Sequence, residues 1–329
     1  MNPALTDRIF NLNGLTDFQN KALEVFRFQA ENNQIYRDFI KFLNIDPSDV
    51  NRPEEIPFLP AAIFRSHKVI SGPDYTVMVF ESSGTSGKMT SRHYITDPGI
   101  YEMSFLKGFN LFYGDPADYF FAALLPSYTE RENSSLIWMV NGLIKRSRVP
   151  YSGFYNKNIS ELFHNIEKSL AGNGKVILIG VSYALLDLAE KYNPDLSGTV
   201  VMETGGMKGR RKEMTRQELH AVLRKGFNVE NIHSEYGMTE LLSQAYSKGD
   251  GLFFCPPWMK ILIRDPLDPL SLLQDYGKTG GINIIDLANI NSCSFIATDD
   301  LGKLYPDDSF EVLGRFDSSD IRGCNLLIE

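Results

Sequence analysis

KVILIGVSYALLDLAEKY, residues 175–192, is the stretch from which the fold can be read. Its first half, Lys175 to Gly180, is a short apolar run rich in β-branched residues and predicts a buried strand. Its second half, Ser182 to Tyr192, opens on a serine suited to a helix N-terminus and predicts a helix. The alternation then repeats. Thr199 to Met202 predicts a strand, Glu203-Thr-Gly-Gly206 and the basic run Lys208 to Lys212 a loop, Met214 to Lys225 a helix, and Val229 to His233 another strand. Strand, helix, strand, helix, strand implies an α/β fold with a doubly wound, mostly parallel sheet, in which ligands sit beyond the carboxyl ends of the strands. The segments Glu203 to Gly206 and Ser234 to Glu240 both fall at such ends.

Upstream, apolar residues recur at helical spacing over Asp17 to Ala30 and again over Ile35 to Leu43, which predicts two amphipathic helices. Ile56-Pro-Phe-Leu-Pro60 is extended, because proline turns its predecessor away from helix, and Ala61 to His67 forms a short helix. A strand over Tyr75 to Phe80 empties into SSGTSGKMTSRH, residues 82–93, and Arg92 to Thr96 alternates like its returning partner. Tyr119 to Leu125 predicts a further buried strand and Ser134 to Lys145 a helix. The final third differs: Leu252 to Phe254, Met259 to Arg264, Gly281 to Asp286, Ser294 to Thr298 and Phe310 to Leu313 predict short strands of a smaller β-rich lobe. The expected organisation is one continuous domain, with the α/β part over residues 1–250 and the β-rich lobe and tail over 251–329.

Composition narrows the function. Apolar residues make up 43% and charged residues 22% of the 329 positions, which excludes a disordered chain. A formal net charge of −8 argues against a nucleic-acid surface, since a phosphate backbone needs a cationic footprint. Cys255, Cys293 and Cys324 lie far apart with no metal-ligand spacing, and the odd count without a signal peptide points to a reduced, cytoplasmic setting. No apolar run reaches the length of a bilayer span, so no transmembrane segment is expected.

The loop over residues 82–93 has the chemistry of an anion cradle. Glycines let backbone amides approach an anion, hydroxyls add donors, and Lys88 supplies a compact positive charge. A flexible Ser/Gly surface loop would read the same way. A Walker-type phosphate loop is excluded, because Gly84-Thr-Ser-Gly-Lys88 is too short and the glycine required upstream of Gly277-Lys278-Thr279 is Leu272. Gly180-Val-Ser-Tyr-Ala184 lies one residue from a nucleophile elbow, so a serine hydrolase or acyltransferase using Ser182, a later Asp and His233 is the alternative; Ser182 also reads simply as a helix N-terminal serine. Arg131, directly after a buried strand, suits either a substrate carboxylate or solvent.

Three motifs follow the glycine loop in order: His233-Ser-Glu-Tyr-Gly-Met-Thr-Glu240, Ala297-Thr-Asp-Asp-Leu-Gly302 and Gly314-Arg-Phe-Asp-Ser-Ser-Asp320. With SSGTSGK, the ordered set resembles the signature of the adenylate-forming, acyl-activating enzymes. The details are most similar to the acyl-protein synthetase (LuxE-type) family of the bacterial fatty-acid reductase complex. That similarity includes Phe26-Arg-Phe-Gln29, Tyr36-Arg37, Ile56-Pro-Phe-Leu-Pro60, Ile63-Phe-Arg-Ser66, Pro126-Ser-Tyr-Thr-Glu-Arg131, Ser134-Ser135 and Asp320-Ile-Arg-Gly-Cys324, and spans nearly the whole chain.

The resemblance implies an ATP- and Mg2+-dependent ligase that converts a carboxylic acid, fatty by analogy, into an acyl adenylate and then a thioester. Ser82, Ser83, Gly84, Thr85, Ser86, Gly87 and Lys88 would hold the β and γ phosphates. Gly205, Gly206, Glu235, Tyr236, Gly237, Met238 and Thr239 would complete the ATP site, with Tyr236 stacked on adenine and Glu240 on Mg2+. Asp300 would take the ribose hydroxyls with Arg315 close by, although Asp299, replacing the family's glycine, also offers a carboxylate. Tyr128 and Arg131 would meet the substrate acid.

Cys324, beside Arg322, would accept the acyl group and pass it to a reductase-like partner or a carrier thiol. The family's mobile C-terminal domain with its catalytic lysine is expected to be absent, the sequence stopping at Glu329. The compensating charge is therefore expected from Lys208, Arg210 or Arg211. A nucleotide-binding module without catalysis is the remaining alternative.

Overall fold

The structure is a computed structural model and describes residues 8–83, 89–126, 133–207, 210–212 and 214–316. Two helices open it, α1 (Leu15–Asn32) and α2 (Gln34–Phe42). Helix α1 buries Phe18, Ala22, Val25, Phe26, Gln29 and Ala30, one stripe at helical spacing. Asn33 between the helices caps α2, its side chain accepting from the Tyr36 amide at 3.0 Å. Strand β1 (Leu59–Pro60) and the short helix α3 (Ile63–Ser66) follow. Strands β2 (Met78–Glu81) and β3 (Arg92–Ile95) then pair antiparallel with Glu81 opposite Arg92, so the glycine-rich stretch is the connection of a hairpin, as its flanks predict.

Helix α4 (Pro98–Tyr113) is missing from the expected pattern, because its apolar residues run nearly all round and hide the helical period. Asp97 starts it by accepting from the Gly99 amide, with proline in the first turn. Strand β4 (Tyr119–Leu124), helix α5 (Ser135–Arg146), strand β5 (Gly153–Phe154) and helix α6 (Ile159–Ala171) lead to β6 (Lys175–Val181) and α7 (Ser182–Tyr192). Then come β7 (Thr199–Thr204), α8 (Arg216–Phe227), β8 (Ile232–Tyr236) and β9 (Ala245–Ser247).

These strands form a six-stranded sheet in the order β5-β4-β6-β7-β8-β9, parallel throughout except for β9 at the edge. Strand β8 begins three residues later than Val229. The chain leaves α8 through Asn228 in the left-handed conformation (φ 53°), and that turn occupies the first residues of the expected strand. The shift places Glu235 and Tyr236 inside the strand at its carboxyl end.

The second sheet holds β10 (Met259–Arg264), β11 (Gly280–Asp286), β12 (Phe295–Leu304) and β13 (Phe310–Arg315). Leu252 to Phe254 is not a strand; it makes only single bridges, Phe253 to Phe310 and Tyr246 to Phe254. The sheet also takes in β1, parallel to β12 with Leu59 opposite Ile296. The N-terminal helices are tied to the same region: Gln29 Nε2 donates to the Asn289 and Ile290 carbonyls, and Asn33 Nδ2 donates to the Ser292 carbonyl at 2.8 Å. Tyr36, Phe26, Phe58 and Phe295 pack ring on ring beneath them. Among the described residues no helix is long and apolar enough to cross a membrane.

Candidate active site

The segment after β8, residues 237–244, has no regular structure, and its position is set by buried side chains from elsewhere. His93 of β3 donates from Nδ1 to the Thr239 carbonyl at 2.9 Å, while Nε2 accepts from Ser292 Oγ at 2.8 Å. Burial pushes His93 down to about 4, so it is neutral near pH 7 and one nitrogen is free to accept. Asn289 Nδ2 donates to the Glu240 carbonyl at 2.7 Å. Asp286 accepts from the Leu242 and Ser243 amides, each at 2.9 Å, from Ser243 Oγ at 2.6 Å and from the Ala288 amide at 3.1 Å.

Successive carbonyls and successive amides of the segment are thus held by groups from the β2–β3 hairpin, from the end of β11 and from the turn that follows it. Glu240 is the acid this arrangement presents. Its carboxyl group is buried, which raises its pKa, against the pull of a hydrogen bond from Ser91 and of Arg315 and Arg65. Ser91 in turn donates its amide to Ser82 Oγ at 2.9 Å and accepts from the Ser82 amide at 3.0 Å. Glu240 therefore stands at the foot of the glycine loop.

Tyr236 and Asp300 meet directly, the tyrosine hydroxyl donating to Asp300 Oδ2 at 2.7 Å. The Tyr236 ring is flanked edge-on by Phe253 and Phe310, which come from the turn after β9 and from β13. Arg315 Nε lies 3.4 Å from Asp300 Oδ1, and Arg65 Nη2 lies 3.1 Å from Asp299 Oδ2. The pleat of β12 separates the two aspartates: Asp300 is buried, and its pKa is raised by that burial, whereas Asp299 points to the rim. Under them Arg264 donates to the Ile282 carbonyl at 2.8 Å, to Asn283 Oδ1 at 2.9 Å and to the Thr298 carbonyl at 2.5 Å.

A third group of acids lies at the carboxyl ends of β7 and β8. Glu235 accepts from Thr204 Oγ1, and burial, reinforced by the nearby Glu203, raises its pKa to about 7. Glu203 Oε2 accepts from Ser182 Oγ at 3.0 Å, and its Oε1 lies 3.6 Å from both Arg216 Nε and His220 Nε2. A Cβ at Gly237 would stand 2.5 Å from Glu235 Oε1, so a side chain there would make that carboxylate shift. Gly205, at φ 69°, makes the left-handed turn that ends β7.

This cluster also bears on the hydrolase alternative. Ser182 is buried at the start of α7 with its hydroxyl on a carboxylate, and the His233 imidazole meets Tyr113 Oη at 3.1 Å. A triad needs the base on the nucleophile, and neither contact supplies that.

Of the remaining expected residues, Ser82 and Ser83 end β2's extension and are half-buried, Gly206 is exposed beyond β7, and Met238 and Thr239 are half-buried in the held segment. Arg210 stands over the Tyr183 ring at 5.1 Å, and Tyr183 Oη donates to the Pro126 carbonyl at the end of β4. Arg211 turns outward, binding Asp187 and Glu190 of α7. Gly84, Thr85, Ser86, Gly87, Lys88, Tyr128, Arg131, Lys208 and Cys324 lie outside the described residues. The supporting residues His93, Asp286 and Asn289 were invisible beforehand. Asp286 closes the apolar strand β11 and reads as an ordinary cap, and its second set of partners is 43 and 44 residues away.

The donor set suits magnesium nucleotide. Mg2+ is commonly held by one or two carboxylates together with substrate phosphate oxygens, and Glu240 is a buried acid without an ion-pair partner of its own among the described residues. No group of three or more His, Cys, Asp or Glu side chains among the described residues is placed to cage a metal. Asp300 keeps acceptor capacity beyond its contacts with Tyr236 and Arg315, as ribose hydroxyls would need.

No protein-family model matches the chain, and no curated protein matches it by sequence. Solved structures do match. ATP-bound MatB from Rhodopseudomonas palustris superposes with a TM-score of 0.53 at 15% identity, over 74% of this chain and 49% of that one. The long-chain-fatty-acid-CoA ligase FadD1 from Archaeoglobus fulgidus gives 0.51 at 16% identity, over 74% of this chain and 52% of that one. The amide bond synthetase McbA from Marinactinospora thermotolerans gives 0.50 at 17% identity, over 74% and 50%. The chain spans about half the length of these proteins. The α/β fold is therefore the one expected, and these solved structures share it.

Proposed function

We propose that this protein activates a carboxylic acid with ATP and transfers the acyl group to a thiol, as an acyl-protein synthetase of the LuxE type. The observation that carries the reading is a chain of contacts: Tyr236 and Arg315 meet at Asp300, the Arg315 charge acts on Glu240, and Glu240 is bonded to Ser91, which pairs with Ser82. In the first step a substrate carboxylate oxygen attacks the α-phosphorus, the bond to the bridging oxygen of pyrophosphate breaks, and an acyl adenylate forms. In the second a thiolate attacks the acyl carbonyl carbon and AMP leaves. Magnesium bound at Glu240 would offset charge on the departing pyrophosphate.

The chain's own groups have defined tasks. Asp300 holds the ribose hydroxyls, being the buried aspartate bonded to Tyr236, while Tyr236, with Gly205, Gly206, Glu235, Gly237, Met238 and Thr239 around it, receives the adenine. Ser82 to Lys88 cradle the β and γ phosphates, Tyr128 and Arg131 meet the acid, and Lys208 or Arg210 supplies charge at the reacting phosphorus. The α/β part, residues 1–250, and the lobe, 251–329, act as one adenylation domain in the cytoplasm.

The acceptor is Cys324, as the family resemblance implies, and burial disfavours the other two cysteines. It pushes the Cys293 thiol up to about 12 and the Cys255 thiol well above its ordinary value, so neither is a thiolate near pH 7. A fatty acid is the favoured substrate and a reductase-like protein or carrier thiol the receiving partner.

ATP–pyrophosphate exchange across short-chain, long-chain and aromatic acids tests the first step. Exchange that depends on one class of acid is expected, and its absence with every class overturns adenylation. Radiolabelled acid plus ATP should leave a hydroxylamine-labile label that Cys324→Ala loses while exchange persists. A label retained in Cys324→Ala moves the acceptor elsewhere.

A further inference from the structure

Three arginines surround the paired aspartates of β12, and their commitments differ. Arg264 is buried and donates to two backbone carbonyls and Asn283, so its charge is fixed within the sheet. Arg315 belongs to Asp300. Arg65 is held differently. Pairing of β1 with β12, continued by the Ala61 amide donating to the Ala297 carbonyl at 2.9 Å, brings the following helix α3 over the end of β12. The Phe64 ring packs edge-on against His93, the residue that grips Thr239. Between these anchors Arg65 reaches the surface near Glu240, where its one ion pair among the described residues is with Asp299.

That ion pair does not account for the placement. Arg65 is 43% and Asp299 49% exposed, and an ion pair that open to water contributes about 0–1 kcal/mol. It is readily exchanged. Arg264 is committed to the sheet and Arg315 to Asp300, so of the three arginines Arg65 is the one held loosely enough to turn to a polyphosphate entering beside Glu240. A guanidinium presents a planar fork of donors that fits phosphate oxygens better than a single carboxylate oxygen.

We propose that Arg65 is a ligand of the nucleotide's phosphate chain, exchanging Asp299 for phosphate oxygens when ATP enters. The assignment rests on the ATP reading above and adds a cation from the N-terminal segment, in a stretch, Ile63-Phe-Arg-Ser66, to which the resemblance gives no role. Equilibrium binding of three probes tests it: Mg2+-ATP, Mg2+-pyrophosphate and adenosine, with the full chain, Arg65→Ala, Arg65→Lys and the surface control Arg52→Ala. Arg52 pairs with Glu55, away from the cleft residues in sequence and contact.

Loss of one charge-assisted bond should weaken ATP and pyrophosphate binding about ten-fold or more in Arg65→Ala. Arg65→Lys should recover part of the loss, and adenosine binding should stay within about two-fold of wild type. Equal weakening of all three probes would mark Arg65 as structural and overturn the assignment, as would unchanged ATP binding. A wild-type chain that binds none of the three would overturn the ATP reading itself and the assignment with it, a result distinguishable from either of those.

Discussion

The buried acids of this protein fall into two kinds, and the contrast between them locates the site. Glu203 and Asp286 are closed: their oxygens are taken by Ser182, Arg216 and His220, and by the Ser243 hydroxyl and the amides of residues 242, 243 and 288. Glu240 and Asp300 are open. Both are buried, yet the cations near them, Arg65 and Arg315, are 43% and 73% exposed and reach in from the rim. A closed acid holds the fold together, whereas an open one keeps capacity for a ligand's cation or hydroxyls.

Substitutions on either side sharpen or break this division. Asp286→Ala should have the largest effect, because it leaves the Ser243 and Ala288 amides buried without an acceptor. We expect a loss of about 3 kcal/mol in urea unfolding. Retention of full stability would show that the segment carrying Glu240 is not held from β11.

Glu240→Gln should do the reverse. It removes a buried charge, so the thermal midpoint should hold or rise, while acid-dependent exchange should fall about a hundred-fold, an effect of about 2.7 kcal/mol. Lost stability together with intact exchange would place Glu240 among the closed acids.

Glu235 gives the most specific effect, one confined to a pH window. Its folded value of about 7 exceeds its ordinary 4.5, so the unfolded chain releases this proton at lower pH than the folded one. Its contribution to stability is complete below pH 4.5 and is lost as pH rises through about 7. In Glu235→Gln that part of the pH dependence, on the order of 3 kcal/mol at most, should disappear from the stability profile. A variant with the wild-type profile would show that the carboxyl group beneath Gly237 titrates normally.

Much of the frame was legible beforehand because the signals are local. The β6–α7 unit, the glycine hairpin and β10 to β12 announce themselves through apolar runs, caps and turns. Helix α4 did not, since a helix that is apolar nearly all round has no period to find, and β8 was placed early because Asn228 looks the same in a turn as in a strand start. The motifs named Tyr236, Glu240, Asp300 and Arg315, while residues that hold these segments in place, His93, Arg264, Asp286 and Asn289, carry no motif.

By itself the sequence determined the alternation of strands and helices, and the order in which Ser82, Tyr236, Glu240, Asp300 and Arg315 follow one another. Only the tertiary structure decided which acids are satisfied and which keep acceptor capacity. Burial and hydrogen-bond partnership arise between residues 146 apart, as for His93 and Thr239, or 234 apart, as for Arg65 and Asp299. No short-range pattern records such a meeting, because the side chains involved contribute nothing to local backbone preference.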